Sequence, residues 1–150
     1  MRWLPPLLLL LVAACSSSTS EDPAAAPSSD PPSWSWIGMG PEDVRTFTGP
    51  AGELTLIYVD ETYDIAGEYA SALTYEHDGS YVTDYFVESD GRLEWYGRKG
   101  SWRAGRGGEQ PRPVPLDSGT ATFGDITLTL SDDGPVSVET PDGLFLAGRG

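Results

Sequence analysis

The chain has 150 residues, with 23 Asp and Glu against 9 Lys and Arg, a formal net charge of −14, one Cys and one His. This length suits one ordinary domain, and the negative charge argues against nucleic acid as a partner because phosphates repel it. One Cys and one His exclude an internal disulfide and a Cys- or His-rich zinc site. We therefore expect no cofactor and no structural metal, while a hydrophobic content of 39% is enough for a packed core.

The first fourteen residues are those of a cleaved leader. Arg2 precedes an apolar run over residues 4–12. Nine residues at about 1.5 Å each reach about 14 Å as a helix, roughly half of the ~30 Å hydrocarbon layer of a membrane. The run is too short to span a bilayer and is typical of the central region of a secretory signal peptide. Residues 1–14 are therefore interpreted as a signal peptide.

The leader ends in Val12-Ala13-Ala14-Cys15, followed by three serines. This resembles the closing motif of bacterial lipoprotein signals, in which an apolar residue and two small residues precede a Cys. The resemblance implies cleavage after Ala14, a diacylglyceryl group on the Cys15 sulfur and often a further fatty acyl group, such as palmitate, on the new N-terminus. Two or more chains hold a protein stably on a bilayer, so it implies a lipoprotein on the extracytoplasmic face of the cell membrane. The alternative is an ordinary secretory leader with an incidental Cys.

Residues 15–33 carry the candidate lipid anchor and then Ser, Thr, Ala, Pro, Glu and Asp, without any larger aliphatic side chain. Such a segment cannot bury enough apolar surface to offset the entropy of ordering, so it is predicted to be a disordered linker. The folded domain is predicted to cover residues 34–150.

Alternation of apolar and polar residues dominates the domain. Leu54, Leu56 and Tyr58 share one parity, and Ile126 and Leu128 repeat the pattern near the C-terminus, which is typical of half-buried strands. Residues 41–45 are predicted to form one helical turn. Strands are predicted at 45–48, 53–60, 69–76, 80–88, 92–97, 119–123, 125–130, 135–139 and 143–147.

Four Asp-Gly pairs punctuate these strands, at Asp78, Asp90, Asp133 and Asp142. Asp-Gly favours two-residue hairpin turns with positive φ at both central positions. Because the apolar face of such a sheet needs closure or a second layer, we predict an all-β fold. It is an antiparallel meander that forms either a small barrel or a two-layer sandwich. Residues 103–119 lack alternation, and loops of that length tend to be functional or disordered.

Charge is segregated along the chain. Ten acids and no Lys or Arg lie between Glu53 and Asp90, whereas six basic residues and two acids lie between Arg92 and Arg112. Aromatic rings beside guanidinium groups could hold an anionic or carbohydrate ligand by stacking and ion pairing. The alternative is that the basic hairpin folds back on the acidic strands, with its Trp side chains in the core. The candidate binding residues are Trp95, Tyr96, Arg98, Lys99, Trp102, Arg103 and Arg106.

The same stretch is similar to a group of bacterial secreted proteins and lipoproteins. Their signature runs D-x-D-G-x-V-W-Y-x-G and, after a spacer that is shorter here, G-S-W-x-A-G-x-x-G-x-x-P. The resemblance implies no activity. Glycines at these positions permit tight chain reversals, and Trp102 between them would pin a loop to the core. The matching positions are Asp90, Gly91, Trp95, Tyr96 and Gly97, then Gly100, Ser101, Trp102, Ala104, Gly105, Gly108 and Pro111.

No catalytic residue is predicted. His77 lies in an Asp-Gly turn, where we expect it to be exposed, and neither a G-x-S-x-G elbow nor a phosphate-binding loop occurs. Chance pairs of acids could serve a hydrolase or bind calcium. The acids considered for hydrolysis are Asp60, Glu61, Asp64, Glu68, Asp84 and Glu88, and those considered for calcium are Asp60, Glu61, Asp64, Asp132 and Asp133.

The sequence thus favours a membrane-anchored lipoprotein that displays one acidic all-β domain as a non-catalytic binding or structural module of the cell envelope. The predicted partners are the membrane, through the lipid, and either an envelope component or an anionic or carbohydrate ligand. A small carboxylate-dependent hydrolase and an accessory subunit of an envelope complex are the alternatives.

Overall fold

The computed structural model describes residues 36–116 and 119–148, so the predicted signal peptide, lipid anchor and linker lie outside the described residues. The described part is all-β and contains no helix, and therefore none that is long and apolar enough to cross a membrane. Its strands are β1 Val44–Gly49, β2 Gly52–Ile65, β3 Glu68–His77, β4 Ser80–Ser89, β5 Arg92–Arg98, β6 Trp102–Arg103, β7 Arg112–Val114, β8 Thr120–Phe123, β9 Ile126–Ser131, β10 Gly134–Thr140 and β11 Gly143–Ala147.

All eleven strands belong to one antiparallel sheet with the order β6-β5-β4-β3-β2-β1-β11-β10-β9-β8, and β7 pairs with β5. The sheet curls into a half-barrel, which confirms the predicted meander and lies nearer the barrel than the sandwich. Within the described residues, β8 has no ladder to β5 or β7. Side chains join the two ends of the sheet instead, because Arg98 at the end of β5 forms an ion pair with Asp125 in the β8–β9 turn.

The nine predicted strands are confirmed, with boundaries shifted by a few residues. Strand β2 extends five residues beyond the prediction, and the short strands β6 and β7 were missed. The helical turn predicted at residues 41–45 was wrong. Glu42 has a φ of 67°, which is left-handed and incompatible with a right-handed helical turn, and Val44 already belongs to β1.

The Asp-Gly turns are of two kinds. Asp78 and Asp90 have φ values of 50° and 51°, and each is followed by a positive-φ Gly, as predicted for tight hairpins. At Gly134 and Gly143 the prediction was wrong in register, because each Gly is the first residue of a strand and the two turn residues precede it.

The concave face of the half-barrel holds the main core. Every strand except β6 contributes a buried side chain to it, and the largest fully buried ones include Phe47, Leu56, Phe86 and Phe145. Residues 36–39 enter the core at the end of the barrel near the β9–β10 turn. The Trp36 ring lies 5.6 Å from the Phe86 ring, and Ile37 is fully buried. This segment plugs one end of the half-barrel.

A second apolar cluster lies on the convex face of β2–β5, where the sequence predicts a solvated surface. The register of β2 against β3 shifts by two residues between Val59 and Thr62, so the alternation is preserved and Ile65 faces outward, as Val59 does. The Tyr63 and Tyr85 rings meet edge to face at 5.0 Å in the same cluster. Its buried members are Ile65, Ala70, Ala72, Tyr85, Val87, Tyr96 and Ala104.

Candidate functional site

Residues 98–112, here called the basic clasp, leave the end of β5, turn back and return to β5 as β7. In β6, Trp102 pairs with Arg98, and Arg103 pairs with Gly97. The Ala104 N–H then donates to the Tyr96 carbonyl at 2.9 Å, and the Ala104 side chain is buried in the convex cluster. The clasp is therefore fastened to one edge of β5, through β6 at its first end and β7 at its second.

The two aromatic residues of the W-Y pair point to opposite faces of β5. Trp95 lies in the concave core, and its indole N–H donates to Asp84 Oδ1 and to the Gly97 carbonyl, both at 2.9 Å. Tyr96 lies in the convex cluster. Both side chains are buried, so neither presents a ring to a ligand on the surface.

Arg98 is the centre of a charge network. Its Nε and one terminal nitrogen donate to the two oxygens of Asp84 at 2.9 and 3.0 Å, and the other terminal nitrogen donates to Asp125 at 2.9 Å. Burial raises the pKa of Asp84, although the hydrogen bonds from Arg98 oppose this shift. The hydrogen bond from Arg98 lowers the pKa of Asp125. The geometry is that of a bidentate arginine–carboxylate pair extended by a third partner.

Arg103 and Arg112 are held by aromatic rings. The Arg103 guanidinium lies 4.9 Å from the centre of the Tyr85 ring and donates to its hydroxyl at 3.1 Å. Arg112 lies 4.0 Å from the centre of the Trp102 ring and forms an ion pair with Glu109 at 3.2 Å. Lys99 and Arg106 are exposed and form no ion pair within residues 36–116 and 119–148.

A cleft of about 460 Å³ opens between the turns of the clasp. Trp102 is half-buried there, and its indole N–H has no hydrogen-bond partner within the described structure. With three arginines against one glutamate, the lining is positive on a strongly acidic protein. Arg98 and Arg103 already donate to other side chains, so Arg106 is the exposed guanidinium of this lining that an anion would meet. The side chains that line it are those of Arg98, Ser101, Trp102, Arg103, Arg106 and Glu109.

The seven candidate binding residues therefore separate into three roles. Arg98, Trp102, Arg103 and Arg106 line the cleft, Lys99 is exposed at its edge, and the buried Trp95 and Tyr96 hold the strand beneath. Sequence reasoning missed the part played by Tyr85, Asp84 and Asp125. One feature of the sequence pointed to a buried role for Asp84. It falls at a core-facing position in the alternating pattern of β4.

The acids considered for hydrolysis or calcium binding lie in different surroundings. Asp84 is fully buried and occupied by Arg98 and Trp95. Asp60 and Glu61 lie exposed at the β2 bulge, and Asp64 accepts the Gly67 N–H at 3.2 Å. Across the described residues, no group of three or more His, Cys, Asp or Glu side chains could hold a metal ion.

His77 is half-buried at the end of β3, so the expectation of full exposure was wrong. Its Nδ1 donates to the Glu53 carbonyl at 2.8 Å, and its ring packs edge to face on Phe145 at 5.0 Å. Both contacts fix the ring at the rim of the barrel. Cys15 and Ala14, the predicted lipid attachment and cleavage residues, lie outside the described residues.

Fold and site together define a class: an acidic antiparallel half-barrel with one basic, aromatic clasp. No protein-family profile, curated protein or solved structure matches this chain.

Proposed function

We propose that this protein is a lipoprotein anchored through Cys15 on the extracytoplasmic face of the cell membrane. Its β domain acts there as a non-catalytic binding module, and the basic clasp contacts an anionic or carbohydrate component of the envelope. The observation that carries the binding proposal is the cleft, which three arginines and Trp102 line on a strongly acidic protein. The Val12-Ala13-Ala14-Cys15 motif supports the anchor.

The charges of the domain fit this arrangement. A body with a net charge of −14 would be repelled by anionic lipid, so a covalent anchor is needed to keep it at a membrane. The clasp interrupts that negative field locally. A negatively charged partner is therefore guided toward the basic clasp and away from the acidic surface of the domain.

The anchor is tested on protein recovered from the membrane fraction of cells that express the full chain. We expect mass spectrometry to find Cys15 as the N-terminal residue, with a diacylglyceryl mass on its sulfur. Cys15→Ser should move the protein from the membrane fraction to the medium or the soluble fraction, because no acyl chain remains. An unprocessed chain with an unmodified internal Cys15 would disprove the anchor without bearing on the clasp.

The binding surface is tested with a probe pair, dextran sulfate and neutral dextran of equal length. We expect the sulfated polymer to bind more tightly, and Lys99→Ser with Arg106→Ser to weaken it about tenfold, since each exposed ion contact contributes up to about 1 kcal/mol. Arg98 and Arg103 are left intact because they hold the fold. Isothermal titration at two salt concentrations gives the affinities, and added salt should weaken the contact.

The matched control is Arg92→Ser, compared with Arg106→Ser alone. Both side chains are exposed and both changes remove one positive charge, but Arg92 lies at the opposite end of β5 from the cleft. Equal losses from the two variants would show that only net charge matters, and would reject the clasp as the binding surface. Tighter binding of neutral dextran would instead assign the clasp to uncharged carbohydrate.

A further inference from the structure

One end of the half-barrel is plugged and the other is open. Residues 36–39 plug the end near the β9–β10 turn. At the other end, where the β1–β2, β3–β4, β8–β9 and β10–β11 turns meet, a cavity of about 420 Å³ opens into the barrel. That volume falls within the range of about 300–1,000 Å³ that is usual for small-molecule sites.

His77, Ser80 and Thr140 line this cavity at the strand ends, and the wall further inside is apolar apart from Tyr75. Leu54, Val82 and Ile126 line it together with Tyr75. Tyr75 is 4% exposed, and its hydroxyl has no hydrogen-bond partner within the described structure. Burial raises the pKa of Tyr75 well above its ordinary value, so the hydroxyl keeps its proton. A buried hydroxyl without a hydrogen-bond partner is unfavourable unless a water or a ligand forms a hydrogen bond with it.

The rim of the cavity has the opposite sign to the basic clasp. The carboxylates of Asp78, Asp125 and Asp142 line it, all on exposed turn residues, against the single cation Arg98. That cation is already engaged by Asp84 and Asp125. The rim therefore carries an excess of negative charge around an apolar interior, which is the arrangement that accepts a small organic cation with an apolar body.

We infer that the open end of the half-barrel is a second ligand site, for a small amphipathic amine. The ammonium group lies at the acidic rim, the apolar body lies between Leu54, Val82 and Ile126, and a hydroxyl or carbonyl at the far end accepts a hydrogen bond from Tyr75. Val82 stands directly opposite Tyr75 in the β3–β4 ladder, so a ligand body that contacts Val82 lies beside Tyr75. The site shares Arg98 with the cleft of the basic clasp, its other lining residues differ from those of that cleft, and it does not depend on the lipid anchor.

Three probes of similar size test this assignment on the full mature chain. Tyramine carries both the ammonium and a hydroxyl, phenethylamine lacks the hydroxyl, and 4-hydroxyphenylpropionate replaces the amine by a carboxylate. We expect tyramine to bind about tenfold more tightly than phenethylamine, the factor that one hydrogen bond of ordinary strength supplies. The carboxylate probe should bind most weakly, because the acidic rim repels it. NMR titration should place the shifts at Ser80, Val82 and Ile126.

Tyr75→Phe removes the hydroxyl and leaves the ring in place. It should weaken tyramine about tenfold and leave phenethylamine unchanged, whereas Tyr69→Phe, near the other end of the same strand and exposed, should change neither. The absence of saturable tyramine shifts up to roughly 10 mM, shifts outside the barrel mouth, equal binding of the carboxylate probe, or an unchanged tyramine affinity in Tyr75→Phe would each overturn the assignment. An ordered water on Tyr75 that tyramine does not displace would overturn it as well.

Discussion

Replacing Asp84 by Asn should lower the free energy of unfolding by about 3 kcal/mol, because Arg98 would lose the charge that offsets its partial burial. Removing one partner of a buried ion pair typically costs about 3–5 kcal/mol. We expect a cost at the lower end of this range because one fifth of the Arg98 side chain stays exposed, whereas Asp84 is fully buried. Asn keeps an acceptor for the Trp95 indole N–H, so the loss reports the missing charge more than the missing hydrogen bond. Urea denaturation followed by Trp fluorescence measures it.

Asp125→Asn is the matched control, since Asp125 accepts from the same guanidinium but its side chain is 53% exposed. Exposed ion pairs are worth about 0–1 kcal/mol, so this change should cost less than about 1 kcal/mol. Adding Arg98→Met to Asp84→Asn should restore part of the stability, because it removes the uncompensated cation. Similar losses for Asp84→Asn and Asp125→Asn, with no recovery in the double variant, would contradict the central role of the buried pair.

The sequence predicts the sheet well because its signal is local. Alternation at Leu54, Leu56 and Tyr58 and the tight turns at Asp78 and Asp90 each act over a few residues, and a meander joins consecutive strands. Curvature into a half-barrel is not local. It depends on bulges such as the one between Val59 and Thr62, at which a strand bends and its twist increases.

The candidate site was predictable only in part, for a related reason. The density of Arg, Trp and Gly marks residues 98–112 as unusual, and charge segregation raises the idea that they pair with the acidic strands. In the structure, one residue of the clasp pairs with that acidic segment: Arg98, with Asp84. Arg103 instead meets the Tyr85 ring, and the second carboxylate on Arg98 comes from Asp125, 27 residues further along the chain. Side chains that pair across a folded sheet are far apart along the chain, so their pairing leaves no spacing pattern in the sequence.

Gly97→Ala should destabilise the protein by about 3 kcal/mol and loosen the basic clasp. A Cβ at this position would overlap the Trp102 carbonyl oxygen and lie 2.9 Å from Arg103 Cα, and both obstacles are backbone atoms of β6. The φ of Gly97 is 145°, a conformation that side-chain-bearing residues rarely adopt. Backbone strain contributes about 1–3 kcal/mol and steric crowding about as much again. Strand β6 can relieve the overlap only by moving away from β5.

Gly100→Ala separates strain from crowding, because Gly100 also has a positive φ, 75°, but an added Cβ would meet nothing within 4 Å. We expect a loss of about 1 kcal/mol there, from backbone strain alone. Amide hydrogen exchange locates the damage: the Ala104 N–H, bonded to the Tyr96 carbonyl, should exchange much faster in Gly97→Ala and nearly normally in Gly100→Ala. Because the cleft is formed by the clasp, Gly97→Ala should also lose dextran sulfate binding while tyramine still binds at the barrel mouth. Equal protection of Ala104 in both variants would mean that β6 is not what keeps the clasp closed.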